Sequence, residues 1–200
     1  MSFIRALAAG ALAALLLATA ACDKLSPPAR SPFHGTDVTG LEIPGLQLAD
    51  AAGRPRSLAE FRNQLVVVIF GYTQCPDVCP TTLHDYAQAM KALGKDAGQV
   101  QVLFVTVDPK RDTAELLRQY VGAFDPRFIG LRGEAGALDR VVKDFHIYVD
   151  TRPGRTPESY TVDHSSQVFV FDRSGKLRLM INAGTPSADI ASDLRVLLDN

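Results

Sequence analysis

The run Leu65-Val-Val-Val-Ile-Phe70 constrains this chain more than any other stretch. It is continuously apolar, mostly β-branched and of strand length, with no polar face to turn toward water. Such a run belongs to a strand buried on both sides. Val102 to Val107 repeats the pattern. Between them, residues 80–94 place Leu83, Tyr86, Ala87, Met90 and Leu93 at helical offsets, with Gly94 as the stop. Asp112-Thr-Ala-Glu115 reads as a capping box opening a second helix that carries Leu116, Leu117 and Tyr120.

Other elements follow from the same rules. Leu46-Gln47-Leu48, a turn at 50–53 and Arg56-Ser57-Leu58 predict a small N-terminal hairpin. Phe128 to Leu131 reads as a short strand and Ala135 to about Lys143 as a short helix. Phe145, Ile147 and Val149 alternate with His146 and Tyr148, which predicts a half-buried strand with His146 on its other face. Residues 152–159 are polar and hold two prolines, so 145–149 and 160–162 are expected to form an inserted hairpin. Gln167–Phe171 and Leu177–Ile181 flank a turn at 172–175, and Ile190–Leu198 supplies a last helix. This order predicts an α/β domain with a central mixed sheet flanked by helices. There is no internal repeat and no second domain.

With 21 basic and 22 acidic side chains the formal charge is −1, without a basic stripe and without Trp. The electrostatic footprint and stacking platform of a nucleic-acid binder are both missing. Residues 6–18 are an uninterrupted apolar run, too short for a membrane span and suited to the core of an export signal. Small residues 18–21 precede Cys22. This predicts a signal over 1–21 of the bacterial lipoprotein type, with Cys22 acylated. Thr19 departs from that pattern, and simple cleavage is the alternative. Residues 22–40, rich in Pro, Ser and Thr, are expected to be a flexible tether before a domain over 41–200. Asp23 directly after Cys22 resembles a signal for retention at the inner membrane, with the domain facing the periplasm.

Three cysteines are an odd number for an exported protein. If Cys22 carries lipid, Cys75 and Cys79 remain as a pair. Their loop is too short to staple a fold by chain entropy, so chemistry is expected of them, with a structural disulfide as the plain alternative. Each precedes a proline, Pro76 and Pro80, and a residue before proline is pushed away from helix. Pro80 suits a first helical position, which places Cys79 at the N-cap and Cys75 in the loop before it. There the helix dipole favours thiolate. The spacing is one residue longer than the C-x-x-C of thioredoxin-like redox enzymes, which allows either a chelating bite or a disulfide.

Of four histidines, His34 falls in the tether, His84 lies part-way round the new helix, and His146 faces away from the apolar side of its strand. His164, just before a strand, stands where thioredoxins carry a cis-proline; on the residues alone it is only a candidate.

GYTQCPDVCPTTL (71–83), VDPKRDT (107–113), FIGLRG (128–133) and YTVDHSSQVFVFDRSG (160–175) occur in that order. Through them the domain from about Leu46 onward resembles the Sco/SenC family. The resemblance implies a thioredoxin-like fold and a membrane-tethered copper protein that helps assemble the CuA centre of cytochrome c oxidase. It implies Cys75, Cys79 and His164 as ligands for one copper ion. Asp77, Asp163 and Asp108 are candidates for outer contacts, with solvated loop carboxylates as the alternative. Expected partners are the copper-bearing oxidase subunit, a periplasmic copper chaperone and a thiol reductant, met by a monomer that is a metallochaperone and not an enzyme. A thiol–disulfide oxidoreductase that keeps the oxidase cysteines reduced, or a redox-defence role, is the alternative. A peroxidase is disfavoured, because the P-x-x-x-T-x-x-C signature is absent.

Overall fold

The computed structural model describes residues 31–156 and 159–199. The expected signal over 1–21, Cys22 and residues 23–30 of the tether lie outside the described residues.

The first apolar run becomes β4 (Leu65–Gly71), buried along its whole length, and the second becomes β5 (Val100–Thr106). They pair in parallel from Leu65↔Val100 to Gly71↔Thr106. The crossover between them is α1 (Val78–Leu93), whose apolar stripe is buried, followed by a short 3-10 turn. α2 (Ala114–Gly122) then leads to β6 (Ile129–Arg132), parallel to β5. α3 (Ala135–Asp144) follows. The N-terminal hairpin is present as β2 (Gln47–Asp50) and β3 (Pro55–Ser57), with β2 antiparallel to β6. On the other side β9 (Val168–Phe171) runs antiparallel to β4, and β10 (Leu177–Ile181) pairs with β9. α4 (Ser187–Leu198) closes the chain and packs against α1. The result is a mixed sheet flanked by helices, a thioredoxin-like fold. Phe70, Phe145, Phe169 and Phe171 form an edge-to-face cluster at its centre, with centroids 5.1–6.0 Å apart.

The inserted hairpin is shifted from its expected place. Its arms are β7 (Val149–Arg152) and β8 (Thr161–His164). Phe145 and Ile147 are buried, as the alternation suggested, yet they cap α3 and turn the corner after it. His146, exposed, takes a left-handed φ of 53° in that corner. A corner with alternating burial imitates strand periodicity over so few residues.

Two further expectations need correction. Asp112 does not cap α2; Thr113 does, its hydroxyl accepting the Leu116 N–H at 3.2 Å. The expected tether is also ordered over its last part. Thr36–Asp37 form β1 on the β10 edge. Just before it, the wholly buried Asp193 of α4 accepts the backbone N–H groups of His34 and Gly35 at 2.8 Å each. Pro, Ser and Thr content reads as tether because no side chain in the segment announces an acceptor 158 residues away. His34 itself is exposed, as a tether histidine would be.

Asp193→Ala strips the acceptor from these two amides. The expected cost is about 1–3 kcal/mol, a fall in Tm of several degrees for a chain of this size. Limited proteolysis should then cut within residues 33–40 before the sheet unfolds; unchanged resistance there would count against the clasp.

Candidate metal centre

The site forms where strand ends meet. In sheets of this kind, ligands gather beyond the carboxyl ends of the parallel strands. β4 ends at Gly71, and its loop (72–77) carries Cys75 into α1. Because β9 is antiparallel to β4, its beginning lies at that same end, Val68 pairing with Phe169. The residues entering β9 are therefore delivered to the cysteine loop, and His164 is among them.

Cys75 is half-buried and Cys79 buried, and both are free thiols. Their sulfurs and a ring nitrogen of His164 all lie within 4.8 Å of one another. His164 Nε2 is 3.5 Å from the Cys79 sulfur. Its Nδ1 stands 2.8 Å from the Ser165 carbonyl oxygen, which can only accept. That contact puts a proton on Nδ1 and leaves Nε2 to face the sulfurs, the usual way a ligating imidazole is oriented. Tyr72 packs its ring edge-on against His164 at 6.1 Å.

Gly71 is required by this arrangement. A Cβ there would lie 2.8 Å from the Phe104 ring and 2.9 Å from the Cys79 sulfur. The sulfur occupies room that any side chain would take.

Cys79 sits in the first turn of α1, two places past the N-cap position expected for it, with Asp77 as N-cap. Pro80 is accepted because N–H groups of the first turn have no helical partner to lose. The two sulfurs are electrostatically unequal. Cys75 is held down to about 4, chiefly by a hydrogen bond from the Cys79 thiol, then by His164 and by the Asp77 and Cys79 backbone N–H groups, against the opposing cost of burial. The Cys79 N–H lies 3.4 Å from that sulfur. Cys79 is pushed far up by its proximity to the Cys75 thiolate and by burial. His164 is raised, burial opposing while Cys75 and the Ser165 carbonyl favour its charged form. The pair thus carries one proton between two sulfurs, and a cation entering would displace it.

The outer carboxylates do not all reach the site. Asp163 is exposed and bonded to Arg152 at 2.9 Å, touching His164 only through its field. Asp77 contributes its backbone N–H, with its side chain in solvent. Asp108 is buried and bonds Arg111 and Tyr160 rather than a donor atom. His84 and His146 are exposed and outside the cluster. Asp112 was missed as a site-building residue. Wholly buried, it accepts the Thr73 N–H at 3.0 Å, the Thr73 hydroxyl at 2.6 Å and the Thr106 hydroxyl at 2.5 Å. Its capping-box context concealed this role. The Ser165 carbonyl, a backbone group, left no signal to find.

The sequence model of the SCO1/SenC family matches residues 41–199. This chain belongs to the SCO1/SenC family. It is 39% identical over 130 residues to the mitochondrial SCO2 homolog of Bos taurus, covering 64% of this chain and 49% of that protein. The chain spans about half the length of the first curated relatives it matches. Among solved structures, Bradyrhizobium japonicum ScoI with copper bound is 33% identical, with a TM-score of 0.71 over 77% of this chain and 98% of that one. Thermus thermophilus apo Sco1 is 36% identical, with a TM-score of 0.75 over 83% of this chain and 97% of that one. In this SCO1/SenC chain the family match covers both the cysteine loop and the His164 hairpin. Among the described residues, no helix is long and apolar enough to cross a membrane.

In the reduced, metal-free protein, alkylation of Cys75 should stay fast from pH 8 down to near pH 5 and fall only as pH approaches about 4. An ordinary thiol slows tenfold per unit below about 8.5. Cys79→Ala removes the main hydrogen bond to the thiolate and should move the midpoint upward. A midpoint near 8.5 in the unaltered protein would refute the asymmetry.

Proposed function

We propose that this chain binds one copper ion through Cys75, Cys79 and His164 and passes it, as cargo, to the copper-bearing subunit of cytochrome c oxidase during assembly of the CuA centre. The convergence of two sulfurs and one imidazole nitrogen within 4.8 Å carries the reading. Two metal–sulfur bonds of about 2.3 Å laid end to end span roughly 4.6 Å. The donors therefore need little movement to share an ion. Thiolate and imidazole are soft to borderline ligands, suited to copper in either oxidation state and, less selectively, to zinc. The copper-bound ScoI of B. japonicum, 33% identical, supports copper over zinc.

Delivery follows from the same set. Three protein ligands leave one side of an ion uncovered, and a thiol on a partner can enter there before a ligand of this chain leaves. The half-buried Cys75 and His164 lie nearer solvent than Cys79 and are the ligands to be exchanged first. Export by the 1–21 signal, acylation of Cys22 and a periplasmic position at the inner membrane belong to the same reading, supported by the apolar run and the small residues before Cys22. A periplasmic copper donor and a thiol reductant complete the partners. The protein acts as a monomer and turns over no substrate.

The unequal sulfurs favour a second reading, thiol–disulfide exchange. The Cys75 thiolate would attack one sulfur of a partner disulfide, releasing the other as thiolate. Cys79, losing its proton, would then attack Cys75 and free the partner as a dithiol. This chain ends as the disulfide, two electrons poorer, and a separate thiol reductant must restore it.

Anaerobic titration of the reduced protein with Cu(I) against a competing chelator should give one tight equivalent; weak or non-stoichiometric binding sinks the copper reading. His164→Ala should lower affinity by about 100-fold, the upper end of what disturbing one ligand's support costs. It should leave the rate of exchange with a small disulfide within a few fold. The opposite pattern, affinity kept and exchange lost, would favour the oxidoreductase.

A further inference from the structure

We propose that the loop 107–113, between β5 and α2, is a brace that fixes the separation between the two halves of the metal site. Asp112 grips the cysteine loop, and Arg111 grips the hairpin that carries His164. The inference rests on the reading that Cys75, Cys79 and His164 share one ion, and it names residues that touch none of the three donor atoms.

The need for a brace is topological. Cys75 and Cys79 follow β4, whereas His164 ends β8 in a two-stranded ladder that is not hydrogen-bonded to the main sheet. An isolated two-stranded hairpin has marginal stability of its own. Something else must hold it against the cysteine loop.

Two adjacent side chains of one loop do this in opposite directions. Asp112 turns inward and takes the backbone N–H and hydroxyl of Thr73 and the hydroxyl of Thr106. The start of the cysteine loop is thereby tied to the end of β5. Arg111 turns toward the hairpin. Its guanidinium lies 3.6 Å from the Tyr160 ring centroid, and one Nη donates to the Tyr160 carbonyl at 2.7 Å. That nitrogen also reaches Gln74, in the cysteine loop, at 3.3 Å. Nε donates to Asp108 at 2.5 Å, and the other oxygen of Asp108 accepts the Tyr160 hydroxyl at 2.8 Å. The guanidinium fork, the ring stack and the shared carboxylate close a ring of contacts just before β8. A planar, multidentate cation is suited to this in a way Lys is not. Tyr72 continues the tie: its hydroxyl accepts the Val162 N–H at 3.3 Å, and its ring meets His164.

The consequence is preorganisation. With the brace intact, the imidazole stands at the sulfurs before any ion arrives. With Arg111 cut, the hairpin is free to move away from the cysteine loop, and the ion keeps its sulfurs while losing its nitrogen.

The test compares the unaltered protein with Arg111→Met, Arg111→Lys and Asp112→Asn. In the reduced, metal-free protein, Arg111→Met should lower hydrogen-exchange protection of amides 161–164 by at least tenfold and leave β4 and β5 protected. Arg111→Lys should fall between. Asp112→Asn should speed exchange chiefly at amides 72–75. Cu(I) affinity of Arg111→Met should drop 10- to 100-fold, the range seen when a ligand's outer support is removed. Its Cu(II) form should lose the nitrogen coupling in electron paramagnetic resonance. If Arg111→Met does not fold, Arg111→Lys decides by the same measurements. Hairpin protection unchanged in the Arg111 variants, or lost only together with that of β4 and β5, overturns the brace. Should the unaltered protein bind no copper, the proposed function fails while the exchange data still decide the brace.

Discussion

The site depends on the antiparallel seating of β9 against β4. That pairing is held by Val66, Val67 and Val68 opposite Phe171, Val170 and Phe169, all buried. Its direction decides which end of β9 lies at the cysteine loop. Were β9 parallel, its entry would fall at the opposite edge of the sheet, and His164 would be a strand length away from the sulfurs. The apolar faces that drive the sheet together thus also bring His164 to the sulfurs, from 85 residues beyond Cys79. Register matters as much as direction. A slip of one residue would turn Phe169 and Phe171 of β9 away from Phe70 and Phe145, so the core enforces the geometry that the site uses.

The strands were legible wherever burial is two-sided. Leu65–Phe70 and Val102–Val107 have no other reading, and α1 follows from its stripe. Cys79 lies two positions past the N-cap because the restriction before proline is a preference, and the first helical turn lowers its cost. Residues 145–149 misled because a buried helix end followed by a left-handed corner alternates in burial as a strand does. The cysteine half of the site was visible in spacing and prolines. The histidine half was not, since His164 is placed by a strand pairing that no local pattern encodes; only the family resemblance nominated it. Asp112 was hidden for a related reason. A carboxylate before Thr-Ala-Glu satisfies the rule for a helix cap, and nothing local reveals that its acceptors are needed by Thr73 and Thr106 instead. Clasps such as Asp193 with His34 and Gly35 lie beyond sequence reading altogether, because one partner is backbone.

Holding a metal and exchanging electrons make opposite demands on two sulfurs. A chelate works best with both as thiolates, equal and fixed. A disulfide exchanger needs one thiolate to attack and one thiol in reserve. The metal-free site has the second form: Cys79 keeps a proton and gives its hydrogen bond to Cys75. A soft cation would convert it to the first by taking the proton's place, with His164 available as a neutral third donor. The buried Cys79, its sulfur against Gly71, is the sulfur that would gain most from that exchange, because the neighbouring Cys75 thiolate and burial otherwise oppose its ionisation. One arrangement therefore supports both chemistries, and the occupant of the space between three atoms decides which is expressed. A rigid separation between the loops favours the metal. A hairpin released from Arg111 would leave the cysteine pair intact and its imidazole withdrawn, which tips the same residues toward disulfide chemistry.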